Sequence, residues 1–395
     1  MAFPVSDTRE LDTLVTSAID TISGNPANLV NEGGEKLLGK LAKRGRIFRV
    51  NDAERVEHPV MYSTDASAWE ANLGDQYSGT PTSGTTLTAT QNEVLTKALF
   101  DIVTKTKNFN VPQSIIGRDS QLAMSDIAYL AQRMAMETYA EEEALLLLGQ
   151  TDLTAGGDLN PLAPYRGDND FFNRGGTSTY ADFGSMSMLG LFDSGRDTGS
   201  RGQTFAGIAP NDDTDWEAQL FTASNAAPST SAELDQFLAD VQEAIIRTDF
   251  GGMERPTDIL STIDWYSKFL EALRSKGTIN DTLIRDMGVG PNTEIPFGSV
   301  LVDYSRHLDA DNQWDLTVGS PAAVHPVMGL NLNSLRWNLV GQTTGVGADA
   351  GWIQQKSEMA PHPTLTNFFK RLEYRSCYSL DNGRRSHFLI KGWTL

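Results

Sequence analysis

The sequence is poor in the residues on which most small-molecule chemistry depends. Of its 395 residues, one is cysteine (Cys377) and five are histidine. A lone thiol excludes an intrachain disulfide framework and a cysteine-based zinc site, and it fits a protein made and used in a reducing cytoplasm. The histidines, His58, His307, His325, His362 and His387, lie far apart, with no pair at metal-ligand spacing, so packed or solvated imidazoles are expected. Cys377, between Ser376 and Tyr378 in a β-rich run, reads as a small buried side chain. Long apolar runs are missing too: nothing approaches the roughly 18 residues of a membrane-spanning helix. The opening Met1-Ala2-Phe3-Pro4-Val5-Ser6-Asp7 has neither the basic start nor the apolar centre of a signal peptide. Positive charge is scarce, with 32 Lys and Arg against 51 Asp and Glu, a net −19. Residues 151–330 carry −16 of it, against −7 for 1–150 and +4 for 331–395. A free nucleic-acid binder is expected to show a basic domain, and the middle of this chain is the opposite.

What is present is strong patterning. Leu11, Leu14, Val15, Ala18, Ile19 and Ile22 recur at three- and four-residue spacing and predict a striped helix. Asp7 with Glu10 forms a plausible capping pair, and Gly24-Asn25-Pro26 ends the helix. Such a stripe must bury against the chain's own body or against a neighbouring subunit. A second short helix over 35–44 carries a basic run, Lys36, Lys40, Lys43, Arg44, Arg46 and Arg49. That run reads as a solvated or acid-paired face, or as a contact with a polyanion or an acidic neighbour. Residues 50–92 hold short extended pieces around a polar stretch from Gly74 to Gly84, and a segment with so little core of its own predicts a projecting two-stranded loop. Phe100, Ile102, Thr104 and Thr106 then alternate with Asp101, Val103, Lys105 and Lys107, a period of two that predicts a strand. A long helix follows over 119–148, with Met124, Ile127, Leu130, Met134 and Leu145 among its apolar residues and Glu141-Glu142-Glu143 near its end. At 1.5 Å per residue, about 30 residues make a spine of roughly 45 Å.

Residues 151–229 read as loops and short strands with apolar islands such as Met188–Phe192 and Phe205–Ile208. Thr230-Ser231-Ala232-Glu233 is a capping box that opens a helix with Leu234, Phe237, Leu238, Val241 and Ile245 on one side. A strand over 257–260, a helix bearing Tyr266, Phe269, Leu270 and Leu273, and strands over 299–304 and 316–319 complete an α/β stretch within an α+β chain. Long strands are expected over 330–340 and 364–380, the latter joined through Asp381-Asn382-Gly383 to 386–391 as a hairpin.

Catalytic signatures are absent. There is no phosphate-binding loop, nucleophile elbow or H-E-x-x-H helix. Gly345-Val346-Gly347-Ala348-Asp349-Ala350 mimics a dinucleotide fingerprint, but polar residues precede it, and Pro361 and Pro363 stand where its helix should run. Asp309, Asp311, Gln313 and Asp315 mimic a calcium loop that lacks its glycine, replaced by Trp314, and its final glutamate, replaced by Ser320. Asp182-Phe183-Gly184 and Arg166-Gly167-Asp168 stand without supporting motifs. No catalytic residue, metal ligand or cofactor is expected, and the chain reads as non-enzymatic.

Taken in order, the parts are a striped arm, a projecting hairpin, a strand, a very long helix, a loop-rich stretch, an α/β subdomain and closing strands. This order resembles the major capsid protein of tailed bacteriophages, the Hong Kong 97-type fold. Three stretches sharpen the resemblance. Arg55–Leu73 with the Gly/Thr-rich run and Val94–Phe109 looks like the family's extended loop. Phe205-Ala206-Gly207-Ile208-Ala209-Pro210 with Trp216 looks like a stretch common in these proteins. Phe297–Asp303, an acidic turn and then Met328–Asn333 resemble the late axial strands. The resemblance implies an N-terminal arm over 1–49, an extended loop over 50–92, a peripheral domain over 93–229 with its spine at 119–148, an axial domain over 230–326, and closing strands over 327–395 that return to the peripheral domain.

The function implied is a structural subunit that self-assembles into the hexamers and pentamers of an icosahedral shell around a double-stranded DNA genome. An encapsulin-like nanocompartment of the same fold is the alternative. A third reading, an enzyme or carbohydrate-binding surface protein, would place its site in loops 151–229. Implied partners are copies of the chain, a separate scaffolding protein, a portal protein, a decoration or cement protein, and packaged DNA in weak non-specific contact, with no membrane. The implied location is the virion, after assembly in the host cytoplasm. Lys36, Lys40, Lys43, Arg44, Arg46 and Arg49 become a candidate inner-surface or intersubunit patch. Leu11, Leu14, Val15, Ile19 and Ile22 become a candidate docking stripe. Some relatives cross-link through a lysine on the extended loop; Val50 to Thr96 contains none, so no such bond is expected.

Overall fold

The computed structural model describes residues 8–23, 36–51, 54–61, 95–115, 120–148, 188–193, 206, 218–252, 254–276, 294–308, 325–341, 353–355, 359–361, 367–381 and 383–395. The strand expected over 316–319, the Asp309–Asp315 turn, the motifs at 166–168, 182–184 and 345–350, His362, and the caps at Asp7 and Gly24–Pro26 lie outside them.

Two six-stranded sheets carry the fold. The first joins β1 (Ile47–Asn51), β4 (Val103–Pro112), β10 (Leu335–Gly341), β11 (Ile353–Gln355), β12 (Ala360–Pro361) and β13 (Asn367–Leu380). β13 is its centre, antiparallel to β4 from Asn367↔Pro112 to Ser376↔Val103 and to β10 from Leu335↔Leu380 to Leu339↔Ser376. One face lies on the long helix, here α3 (Ser120–Leu148), whose 29 residues span about 43 Å. Tyr139 of α3 meets the Trp337 ring edge-on at 6.0 Å, and Trp337 stacks on Tyr378 at 5.9 Å. Because strand residues alternate faces, Asn338, Cys377 and Ser379 point the other way. A two-stranded hairpin of β2 (Arg55–Met61) and β3 (Leu95–Asp101) lies there, paired from Arg55↔Asp101 to Met61↔Leu95.

The second sheet runs β5 (Gln219–Thr222), β14 (Phe388–Lys391), β9 (Val327–Leu330), β6 (Asp258–Ser261), β8 (Val300–Tyr304), β7 (Ile295–Phe297). Two amphipathic helices share its core, α5 (Ser231–Arg247) and α6 (Ile263–Ser275). The expected capping box opens α5: Thr230 Oγ1 accepts from the Glu233 N–H, while Glu233 Oε2 accepts from the Thr230 N–H at 2.8 Å. Phe237, Trp265, Phe269 and Trp393 fill this core, with ring centroids 5.0–5.4 Å apart for Phe237–Trp393, Trp265–Phe269 and Phe237–Trp265. Gly329 of β9 is required by packing: a Cβ there would lie 2.0 Å from the Phe388 ring.

Four expectations are corrected. Asp381-Asn382-Gly383 does not close a hairpin, because β13 belongs to the first sheet and β14 to the second. Gly383, at φ 68°, instead serves a crossing that continues as a 3₁₀ turn, Arg384–Ser386. The single strand over 330–340 is two strands split by a turn at 332–334, and here too the chain changes sheets. The island at 188–193 is a short helix, α4 (Met188–Asp193), with Met188, Leu191 and Phe192 buried. The alternation through Phe100–Lys107 breaks phase at Ile102: Phe100 and Val103 are both buried, because β3 leaves for the hairpin and β4 stays in the sheet.

Candidate functional site

Among the described residues, no group of His, Cys, Asp and Glu is placed to hold a metal ion. A surface groove of about 490 Å³ lies between α5, α6 and β7, lined by Leu238, Leu273 and Ile295, with Lys276 Nζ bonded to Asp235 Oδ1 at 2.5 Å. Among the described residues its lining holds no histidine, cysteine or serine. The chemistry the fold does build is a set of buried charge networks at three joints.

The first joint seats helix α2 (Lys36–Lys43) on the second sheet. Lys36, Lys40 and Arg44 fall at i, i+4 and i+8, so one face carries three cations. Lys40 Nζ lies 3.1 Å from Asp258 Oδ1, 3.5 Å from Asp303 Oδ2 and 3.6 Å from Glu294 Oε1. Lys36 Nζ is 3.5 Å from Asp303 Oδ1, and Arg44 Nη2 is 2.6 Å from Asp258 Oδ2. Three cations thus meet three carboxylates, with Asp258 and Asp303 fully buried. Of the six basic residues singled out from sequence, Arg46 also pairs within the chain, with Asp381 Oδ2 at 3.4 Å, while Lys43 and Arg49 are exposed.

The second joint is the buried end of α3. Glu142 takes the ammonium of Lys105 from β4 together with hydroxyl protons from Tyr374 (2.7 Å) and Tyr378 (3.0 Å) of β13. Burial lowers the Lys105 pKa even so. The next residue, Glu143, accepts the Leu38 N–H at 3.0 Å and the Ser305 hydroxyl at 3.4 Å. A spine carboxylate therefore caps the first turn of α2 and ties it to the segment after β8. The run Glu141-Glu142-Glu143 is visible in the sequence, but the burial of its last two residues is not: acidic triplets are ordinarily solvated, as Glu141 is, and the signal lies in the partners.

The third joint holds the arm helix α1 (Thr8–Ser23). Leu11, Val15 and Ile19 are fully buried in the main core and Leu14 is half-buried, whereas the side chain of Ile22 lies outside the described residues. Asp12 Oδ1 accepts from Lys370 Nζ at 2.7 Å and from the Met359 N–H at 3.0 Å, and Thr16 Oγ1 accepts from Lys370 at 2.8 Å. In this conformation the stripe buries against the chain's own body.

Under the hairpin lies a cluster that sequence reading missed. His58 Nε2 is 2.8 Å from Ser379 Oγ, and His58 Nδ1 is 3.3 Å from Asp381 Oδ1. Asp381 also holds the guanidiniums of Arg336 and Arg46. Burial, with help from Arg336, pushes the Arg46 pKa below its ordinary value. These residues are scattered over more than 300 positions, and a lone histidine in an alternating strand carries no flag. His387 is fully buried where the chain crosses between the sheets, and Cys377 is buried as expected.

No family model and no curated protein matches the chain. Among solved structures it is similar to the capsid of an empty GTA particle, at 11% identity and a TM-score of 0.45, with 89% of each chain covered. It is likewise similar to the capsid of the Myoviridae phage XM1, at 10% identity and 0.42, covering 89% of this chain and 90% of that one. The SrpI encapsulin of Synechococcus elongatus PCC 7942 gives 8% identity and 0.42, covering 88% and 85%. Phage capsids and encapsulins both stand among the structures it resembles.

Proposed function

We propose that this chain is a shell-forming structural protein, the major capsid subunit of a tailed double-stranded DNA phage. Copies would assemble as hexamers and pentamers, aided by a separate scaffolding protein and closed around a portal. What supports the reading is the chain's own order of parts: a striped arm, a hairpin that leaves the first sheet, a long spine beneath that sheet, and a second sheet with its own helices. The described polar clusters serve to join those parts, and none of them opens a path for a substrate. An arm and a hairpin gain stability by lying on other surfaces, so folding and assembly are linked. Head-to-tail contacts between identical subunits close rings, the step from chain to capsomer. The net −19 lets packaged DNA slide past, so contact with DNA is confined to exposed cations such as Lys43 and Arg49. A decoration protein on the outer surface belongs to the same reading.

The test is size. The 43.1 kDa chain is expressed alone and with a scaffolding gene, then followed by sedimentation and negative-stain microscopy. Icosahedral shells or ring-shaped capsomers are expected. A stable monomer under both conditions overturns the proposal.

A further inference from the structure

We propose that His58 is a proton-controlled latch, which holds the base of the β2–β3 hairpin on the first sheet at neutral pH and releases it in acid. The inference concerns the joint alone and does not depend on the shell reading. Asn338 Nδ2 donates to Ser379 Oγ at 2.7 Å, Ser379 Oγ lies 2.8 Å from His58 Nε2, and on the other side of the ring Asp381 Oδ1, which can only accept, is 3.3 Å from Nδ1. That fixes the proton of the neutral ring on Nδ1, facing Asp381.

The Asp381–His58–Ser379 chain has the connectivity of a hydrolase triad, but burial decides against that role. Ser379 is 0% exposed, and any motion that uncovers it lifts β2 and carries His58 away. Base and nucleophile are together only when no substrate can reach them.

The latch follows from the charges around the ring. Asp381, at the end of β13, already holds Arg336 of β10 and Arg46 from the turn before β1. From β3 the ring meets Phe100, with ring centroids 6.1 Å apart. An imidazolium would be a third cation on one carboxylate, and Ser379 would have to turn its proton away. Burial, then repulsion from Arg336 and Arg46, outweighs the attraction of Asp381 and sets the docked His58 pKa below 6.5. In a lifted hairpin the ring returns to water and its ordinary pKa, so the lifted form binds a proton that the docked form does not. Lifting is therefore favoured by up to about tenfold per pH unit below 6.5, down to the docked value, and is unaffected above it. Val60, Ala98 and Phe100, buried among the described residues of the hairpin, are apolar and do not titrate. The exposed Lys97–Glu57 pair lies within the hairpin and travels with it.

Hydrogen exchange on the full chain, corrected for intrinsic rates between about pH 5 and about pH 8, reads the latch. Amides of β2 and β3 should open up to about tenfold more per unit below pH 6.5 while staying less protected than those of β14, and His58→Gln should flatten their profile. A flat wild-type profile, a slope that survives His58→Gln, or hairpin protection equal to that of β14 at every pH each overturns the proposal. If His58→Gln does not fold, C2 hydrogen exchange of the wild-type His58 ring replaces it, and a midpoint at or above 6.5 is the refuting result. Labelling of Ser379 by a fluorophosphonate would restore the triad as an active site and overturn the latch.

Discussion

His387 shows how one side chain can set the acid limit of a fold. It sits where the chain crosses between the two sheets and joins both crossings. Its Nδ1 accepts the Asn331 N–H at 3.3 Å, and its Nε2 lies 2.9 Å from Ser334 Oγ. Ser334 donates to the Asn331 carbonyl at 2.8 Å, so the hydroxyl accepts from the ring and the proton of the neutral imidazole resides on Nε2. Burial, seconded by Arg384, lowers its pKa from 6.5 to about 3. With the folded value depressed, the unfolded chain binds the extra proton between these limits. The stabilisation is complete above pH 6.5 and falls away as pH drops toward 3. The expected slope is about 1.4 kcal/mol per pH unit from this residue. Urea unfolding of wild type and His387→Gln across pH 4.5 to 6.5, roughly that window, measures it. Parallel curves would mean that the ring is protonated in the fold.

At the scale of elements, α2 is held by charge more than by its length. Eight residues are too few for a helix to stand alone. It persists because Leu37, Leu38 and Leu41 are buried, Glu143 caps its first turn, and Lys40 sits among Asp258, Asp303 and Glu294. Lys40→Met leaves two buried carboxylates short of a partner and should cost about 3–5 kcal/mol, whereas Lys43→Ala, on the exposed side, should stay within about 0.5 kcal/mol. Thermal or urea unfolding separates the two, and equal effects would sink the latching role of Lys40. The same helix shows what the sequence discloses. Its existence and that of α1, α3, α5 and α6 follow from apolar spacing, a local property. Its partners do not, because Asp258 and Asp303 lie more than 200 positions away and nothing local distinguishes a buried aspartate from a solvated one. The Asn-Gly turn failed for a related reason. Turn chemistry reports a local reversal, whereas sheet membership is decided by which core Tyr378 and Phe388 each fill. The break at Ile102 escaped because β-branched residues continue across it.

At the scale of the whole molecule, two cores meet across the second sheet, whose Leu260, Met328, Leu330 and Leu389 pack into the first core while buried charge bolts the joints, and the remaining surface is strongly acidic. The bolts are buried and weakly screened; the surface is not. A net −19 makes identical copies repel, so whatever apolar surface joins them works against a field whose range is about 30 Å at 0.01 M salt and about 8 Å at 0.15 M. Raising ionic strength across that interval should therefore speed and extend self-association while leaving the monomer's fold intact, since Lys40 and its carboxylates are shielded from the solvent ions. Light scattering at fixed protein concentration follows the first effect, and circular dichroism checks the second. Dissociation by salt would mean instead that attractive pairs between copies dominate the contact. The exposed Lys43 and Arg49, set against the acidic 151–330 stretch, would then be the cations to neutralise, because both reach the solvent. Salt-promoted association assigns the basic run chiefly to holding the fold together and leaves the contact between copies to apolar surface.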